Sequence, residues 1–217
     1  EIYRFTPVTG TEQQPDKSWL VKTSKGNIKT EVVINAAGLW GREVGKMAGL
    51  DLPLLPAEHQ YFVTETIPEI ESIGRRLPSI ADRDGEYYLR QEGNGLLVGA
   101  YEKDVKIWAE DETPSGFGHE LFPDDLDRIE ENVLRAISRV PVLGGAGIKR
   151  VINGPMIWSP DSNALFGPVP ELDGYYLCNG IIPGFSQSGG LGELLAEWII
   201  TGEPHLDIFS WDLARFG

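Results

Sequence analysis

Hydrophobic periodicity changes along this chain and predicts three kinds of segment. Residues 18–23 (SWLVKT) and 27–35 (NIKTEVVIN) read as strands joined by a glycine turn at Ser24-Lys25-Gly26. The second strand ends in a continuous apolar run, Val32-Val33-Ile34, and then Ala36-Ala37-Gly38. Continuous apolarity predicts burial on both faces, as in a parallel sheet. Residues 41–49 read as a short helix that stops at Gly49. Farther on, residues 59–66, 86–91, 95–102 and 148–158 read as strands separated by polar turns, the pattern of an antiparallel sheet. One helix interrupts them. Pro123-Asp124-Asp125 starts it, Leu126, Ile129, Val133, Ile137 and Val140 form its apolar stripe, and Pro141 ends it. Residues 104–122 read as a long surface loop.

Near the end, Tyr175-Tyr176-Leu177-Cys178 reads as a strand that runs into a glycine-rich turn: Gly180, Gly184, Gly189, Gly190 and Gly192. Leu191, Leu194, Leu195, Trp198 and Ile199 then recur at helical spacing, and Gly202 stops the pattern. Such an arrangement aims free backbone N–H groups and a positive helix end at an electron-rich ligand. It also suits a plain glycine-capped buried helix, and the segment alone does not choose between the two. The periodicities together predict an α+β protein. Residues 1–50 and 154–217 supply α/β material, and residues 51–153 form an antiparallel-sheet domain with one helix.

Composition narrows the partners. The net charge of −14, with no cluster of Lys and Arg, argues against nucleic acid and anionic membranes. No apolar run reaches spanning length. The single cysteine, Cys178, excludes an internal disulfide and sits in a strand-like apolar run, where an inert core thiol is expected. Of the three histidines, His119 and His205 fall in loops, whereas His59 begins a strand beside Gln60 and Tyr61. Tyr87 and Tyr88 are consecutive, so on a strand one can face the core while the other lines a cleft, with Arg90 on the face of Tyr88; plain β propensity also accounts for the pair. Trp40 is placed either to stack on a ligand or to cover the sheet. Asp161, after Ser159-Pro160, reads as a local side-chain turn. No metal-ligand spacing, phosphate loop or nucleophile elbow is present.

An ordered set of strings resembles the dimethylglycine/sarcosine dehydrogenase family of D-amino acid oxidase-like flavoproteins. It comprises residues 6–10 (TPVTG), 31–41 (EVVINAAGLWG), 52–65 (LPLLPAEHQYFVTE), 82–102 (DRDGEYYLRQEGNGLLVGAYE), 116–129 (GFGHELFPDDLDRI), 151–161 (VINGPMIWSPD) and the glycine segment. The resemblance implies FAD as cofactor and a small N-methyl amino acid as substrate, its N-methyl group oxidised by hydride transfer to the flavin. An electron-transfer partner or oxygen would take the electrons. It implies a cytoplasmic location in a bacterium and the mitochondrial matrix in a eukaryote. The family's active-site histidine and tyrosine fall on His59 and Tyr87. Its adenine-contacting valine falls on Val8. Ala37, Gly38 and Trp40 fall near the cofactor, as does the turn Gly184, Phe185, Ser186, Gln187, Ser188, Gly189 and Gly190.

Two departures accompany the resemblance. The family's N-terminal strand–GxGxxG–helix unit and its folate-binding domain have no counterpart in these residues, so the chain reads as a fragment that by itself binds FAD weakly or not at all. Tetrahydrofolate would belong to the folate-binding domain. Gln187 stands where close relatives often carry histidine. A non-catalytic regulatory relative of the same architecture is the alternative; retention of His59 and Tyr87 favours the enzyme.

Overall fold

The structure is a computed structural model that describes residues 1–216. In chain order the first elements are β1 (Val8–Gln13), β2 (Trp19–Thr23), β3 (Gly26–Thr30), β4 (Val33–Asn35) and α1 (Gly41–Met47). Next come β5 (Leu55–Thr64), α2 (Pro68–Ser72), β6 (Ile80–Asp82), β7 (Tyr87–Glu92) and β8 (Gly95–Ala100). The last are α3 (Glu130–Arg139), β9 (Ile148–Trp158), β10 (Leu165–Pro168), β11 (Tyr175–Asn179) and α4 (Gly184–Thr201). They form two compact units. The first holds residues 1–56, 109–115 and 157–216; the second holds residues 57–108 and 116–156.

In the first unit, β1, β2 and β3 form an antiparallel meander whose turn carries Gly26 at φ +132°. A second sheet has the order β10-β11-β4. Strands β10 and β11 are antiparallel, whereas β11 and β4 run parallel, with Tyr175 opposite Val33 and Leu177 opposite Asn35. The parallel pairing expected of the Val32–Ile34 run is present, but burial on both faces is not: Ile34 remains 46% exposed. Trp19, Leu52, Leu54, Leu165, Tyr175 and Leu177 form one core; Phe166, Leu191, Leu194 and Leu195 build another between the sheet and α4.

Helix α4 corrects the sequence reading. It starts at Gly184, so Phe185 to Gly190 are helical and not a turn. Glycine weakens a helix by about 1 kcal/mol per position relative to alanine. Burial of Leu191, Leu194 and Leu195 within the same element outweighs that loss. Gly202, at φ +88°, closes the helix with its N–H on the Trp198 carbonyl.

The second unit is built on a sheet of order β6-β7-β8-β5-β9. Strands β7 and β8 form a hairpin from Tyr87↔Ala100 to Glu92↔Gly95, and β5 pairs antiparallel with β8 at Tyr61↔Gly99. One face carries Phe62, Tyr87, Leu89, Leu96, Val98 and Ala100 against Ile129, Ala136, Val133, Ile137 and Val140 of α3 and its preceding 3-10 turn. The α3 stripe thus packs as its spacing predicts. Within the predicted loop, residues 109–115 belong to the first unit, where the side chains of Trp40 and Arg42 and the Leu39 carbonyl hold them.

Candidate functional site

Strand parity decides which groups can meet on the second unit's sheet. Glu58 and Gln60 point to the α3 face; His59 and Tyr61 point to the other. Tyr88 shares the row Tyr88–Gly99–Tyr61, so it emerges on the same side as His59. Gly99 makes their approach possible. A Cβ there would lie 2.0 Å from Tyr88 Cζ, so the tyrosine ring lies flat across the glycine. The Tyr88 hydroxyl thereby comes within 3.2 Å of His59 Nε2. Tyr101 joins them, its ring centre 5.2 Å from that of His59 and 5.4 Å from that of Tyr88.

Tyr87 is not part of this group. It is 2% exposed and packs in the α3-side core with Phe62, Leu89 and Val98. Burial and the neighbouring Asp82 carboxylate push its phenol up. The structure therefore brings His59 together with Tyr88 and not with Tyr87. Arg90, on the Tyr88 face, is occupied by Glu92 at 2.6 Å.

The imidazole is neutral at pH 7. Burial, and then the positive charge of Arg128, lower its pKa from 6.5 to about 4. Beneath it, on the opposite face, a set of buried charges anchors β5. Glu58 accepts from Asn153 Nδ2 at 2.9 Å, pairs with Lys106 Nζ at 2.9 Å and lies 3.5 Å from Arg128 Nη2. Burial by itself would raise the Glu58 carboxyl; the hydrogen bonds and cations outweigh it and hold it low. Arg128 Nε also lies 3.4 Å from Glu102, whose carboxyl burial pushes up. Sequence reading missed Arg128, Glu58 and Tyr101.

In the first unit, the parallel strands β4 and β11 end side by side in two buried asparagines. Asn179 Nδ2 donates to the Asn35 carbonyl and Asn35 Nδ2 donates to the Gly41 carbonyl, both at 2.8 Å. Asn35 Oδ1 accepts the Ala37 N–H at 3.2 Å. A Cβ on Gly41 would lie 2.4 Å from Asn179 Oδ1, so the start of α1 reaches the strand ends only because that residue is glycine. The Asn179 Oδ1 atom itself is buried and has no hydrogen-bond partner. Gly38 takes φ +53°, in open space. Trp40 donates its indole N–H to the Pro114 carbonyl at 3.1 Å, so its ring is tied to the returning segment. Arg42 holds that segment too, donating to the carbonyls of Glu110 and Ala109 at 2.7 and 2.9 Å.

Val8 lies at the first β1–β2 pair, beside a register shift at Gly10, and is 37% exposed. The first turns of α4 present Phe185, Ser186, Gln187, Ser188, Gly189 and Gly190, all exposed. An added Cβ would meet nothing at Gly184, Gly189, Gly190 or Gly192. A flat, electron-rich ring laid against this helix would meet bare backbone and the positive end of an 18-residue helix. The residues present thus fit one side of a flavin site. Among the described residues no cluster of His, Cys, Asp or Glu could hold a metal ion, and no helix is long and apolar enough to cross a membrane.

Sheet, helix and open glycine face together define a flavoprotein-type scaffold. The family model for FAD dependent oxidoreductases matches residues 1–198, and the chain belongs to that family. It is 46% identical over 216 residues to the mitochondrial dimethylglycine dehydrogenase of Rattus norvegicus, covering 97% of this chain and 25% of that protein. It is 39% identical to the mitochondrial sarcosine dehydrogenase of Homo sapiens, covering all of this chain and 24% of that one. The chain therefore spans about a quarter of the length of these relatives. Among solved structures, L-proline dehydrogenase from P.horikoshii superposes with a TM-score of 0.77 at 28% identity, over 98% of this chain and 54% of that one.

Proposed function

We propose that this chain is part of an FAD-dependent oxidoreductase that oxidises the N-methyl group of a small amino acid such as dimethylglycine or sarcosine. The observation that carries the reading is the 3.2 Å contact between a neutral His59 and Tyr88 on the sheet face opposite α3. Similarity to dimethylglycine and sarcosine dehydrogenases supports the substrate class. FAD, when bound, would accept a hydride from the N–CH3 carbon. Gly38 and the bare start of α4 would hold one side of it.

The substrate amine is a cation in water and must be neutral to lose hydride. A neutral imidazole does not repel that cation. With Nε2 accepting from the Tyr88 hydroxyl, the phenolic oxygen keeps lone pairs free to accept from the amine N–H. Tyr88 and His59 then form a short path along which the amine proton moves away from the reacting carbon. The resulting iminium releases formaldehyde on hydrolysis, or passes its carbon to tetrahydrofolate where a folate-binding domain follows. The electrons leave to a protein partner or to oxygen.

The test is anaerobic stopped-flow reduction of the flavin-loaded protein by dimethylglycine, sarcosine and unmethylated glycine, with formaldehyde measured after turnover. Fast reduction by the methylated amines alone, slowed in His59→Ala, supports the proposal. Reduction by none of them, or an unchanged rate in His59→Ala, overturns it.

A further inference from the structure

The Tyr88 contact uses one edge of the His59 ring and leaves its faces unexplained. One face is closed by Tyr101, the residue that follows β8. The two rings lie 5.2 Å apart at 23°, closer than the 6.2 Å between His59 and Tyr88. Tyr101 is itself fixed, since its N–H donates to the Glu86 carbonyl at 2.8 Å. It is 40% exposed, and the imidazole against it is half-buried. Tyr101 therefore covers one face of the imidazole.

We propose that Tyr101 is a positioning residue: its ring holds the His59 imidazole in the plane that aims Nε2 at Tyr88 and keeps water from that face. The proposal rests on the reading of His59 and Tyr88 as the substrate-side pair, and it adds a residue that acts on the reaction only through them. An offset stack of this kind orients a ring at little entropic cost, because both partners are already rigid parts of a sheet. Three tyrosines surround the His59 ring on its own face of the sheet. Tyr88 comes from β7, Tyr101 directly follows β8 and Tyr61 lies on β5 itself, and burial pushes the phenols of Tyr88 and Tyr101 up. The cation that acts on His59, Arg128, lies on the α3 side with Glu58 and Glu102 as its partners, while Arg90 acts on Tyr88 and Arg83 on Tyr101. Covering the ring disfavours its charged form and so keeps the imidazole neutral.

Proton and nitrogen NMR of the histidine side chains tests this without catalysis. In the wild-type chain, the carbon-bound protons of His59 are expected to be displaced upfield by the stacked ring, with Nε2 showing an accepting nitrogen. Tyr101→Phe should preserve both signatures and the titration midpoint. Tyr101→Leu should abolish the upfield displacement and raise the midpoint by about one pH unit or more toward the ordinary histidine value. Undisplaced protons in the wild-type chain, or a Leu variant with an unmoved midpoint and Nε2 signal, would overturn the role of Tyr101. Those results are independent of turnover. The substrate-side reading instead fails if His59→Ala leaves flavin reduction unchanged.

Discussion

His59 Nε2 and the Tyr88 hydroxyl meet at 3.2 Å across 29 residues of sequence because a glycine lies between their strands. Gly99 pairs with both Tyr61 and Tyr88, and any side chain there would occupy the space of the Tyr88 ring. The contact is thus a property of the sheet register as much as of the two residues.

Gly99→Ala should separate the pair. Its Cβ would collide with the outer end of the Tyr88 ring, which can swing away, so stability should fall by only about 1 kcal/mol. Urea unfolding would show the small loss, and the His59 nitrogen shifts would show the broken contact.

Two other glycines should behave in opposite ways. Gly41→Ala drives a Cβ against Asn179, which is 1% exposed and hydrogen-bonded to Asn35, so it should cost about 1–3 kcal/mol. Gly189→Ala meets nothing and lies within α4, so it should stabilise the ligand-free chain by up to about 1 kcal/mol. If the bare face of α4 receives a flavin, the same Gly189→Ala change should weaken FAD binding, which flavin fluorescence would report. A stabilised chain with unaltered FAD affinity would remove that face from the cofactor site.

The depressed His59 pKa sets a pH dependence with a definite sign. Above pH 6.5 the residue is neutral folded and unfolded, and contributes nothing to the balance. As pH falls from 6.5 to about 4 the unfolded chain takes a proton that the folded chain refuses, so stability is lost. The full loss, on the order of 3 kcal/mol, is reached below the folded value. Relative to wild type, His59→Gln should therefore gain stability between pH 7.5 and 4.5. Equal pH dependence in denaturant titrations of both proteins would contradict this.

Much of the scaffold was legible because strand and helix periods differ. The α3 stripe, the β7–β8 hairpin and the parallel β4 all follow from spacing. Asp161 was legible as a local turn: it accepts from Asn163 N–H and the Ser159 hydroxyl, and it also pairs with Arg215. The start of α4 was not legible, because glycines signal a turn while the leucines that stabilise the helix lie a turn later. Within the surface loop expected at 104–122, the anchoring of residues 109–115 leaves no trace in the sequence, because Trp40 and Arg42 grip backbone carbonyls, which no side-chain pattern marks. Parity showed that Tyr87 and Tyr88 face opposite ways but not which faces the core. Two signals in the sequence bear on that choice. Arg90 shares the Tyr88 face, and Leu89 shares the Tyr87 face. Gly99, in an otherwise apolar strand, marks where a ring crosses.

The central claim is that Tyr88, paired with His59, is the tyrosine that serves the substrate. It is tested most directly by the rate of flavin reduction by dimethylglycine in Tyr88→Phe and Tyr87→Phe of the flavin-loaded protein. Loss of one hydroxyl from the proton path should slow reduction in Tyr88→Phe by roughly tenfold or more, with Tyr87→Phe close to wild type. A Tyr88→Phe protein that reduces its flavin at the wild-type rate while Tyr87→Phe does not would contradict the account.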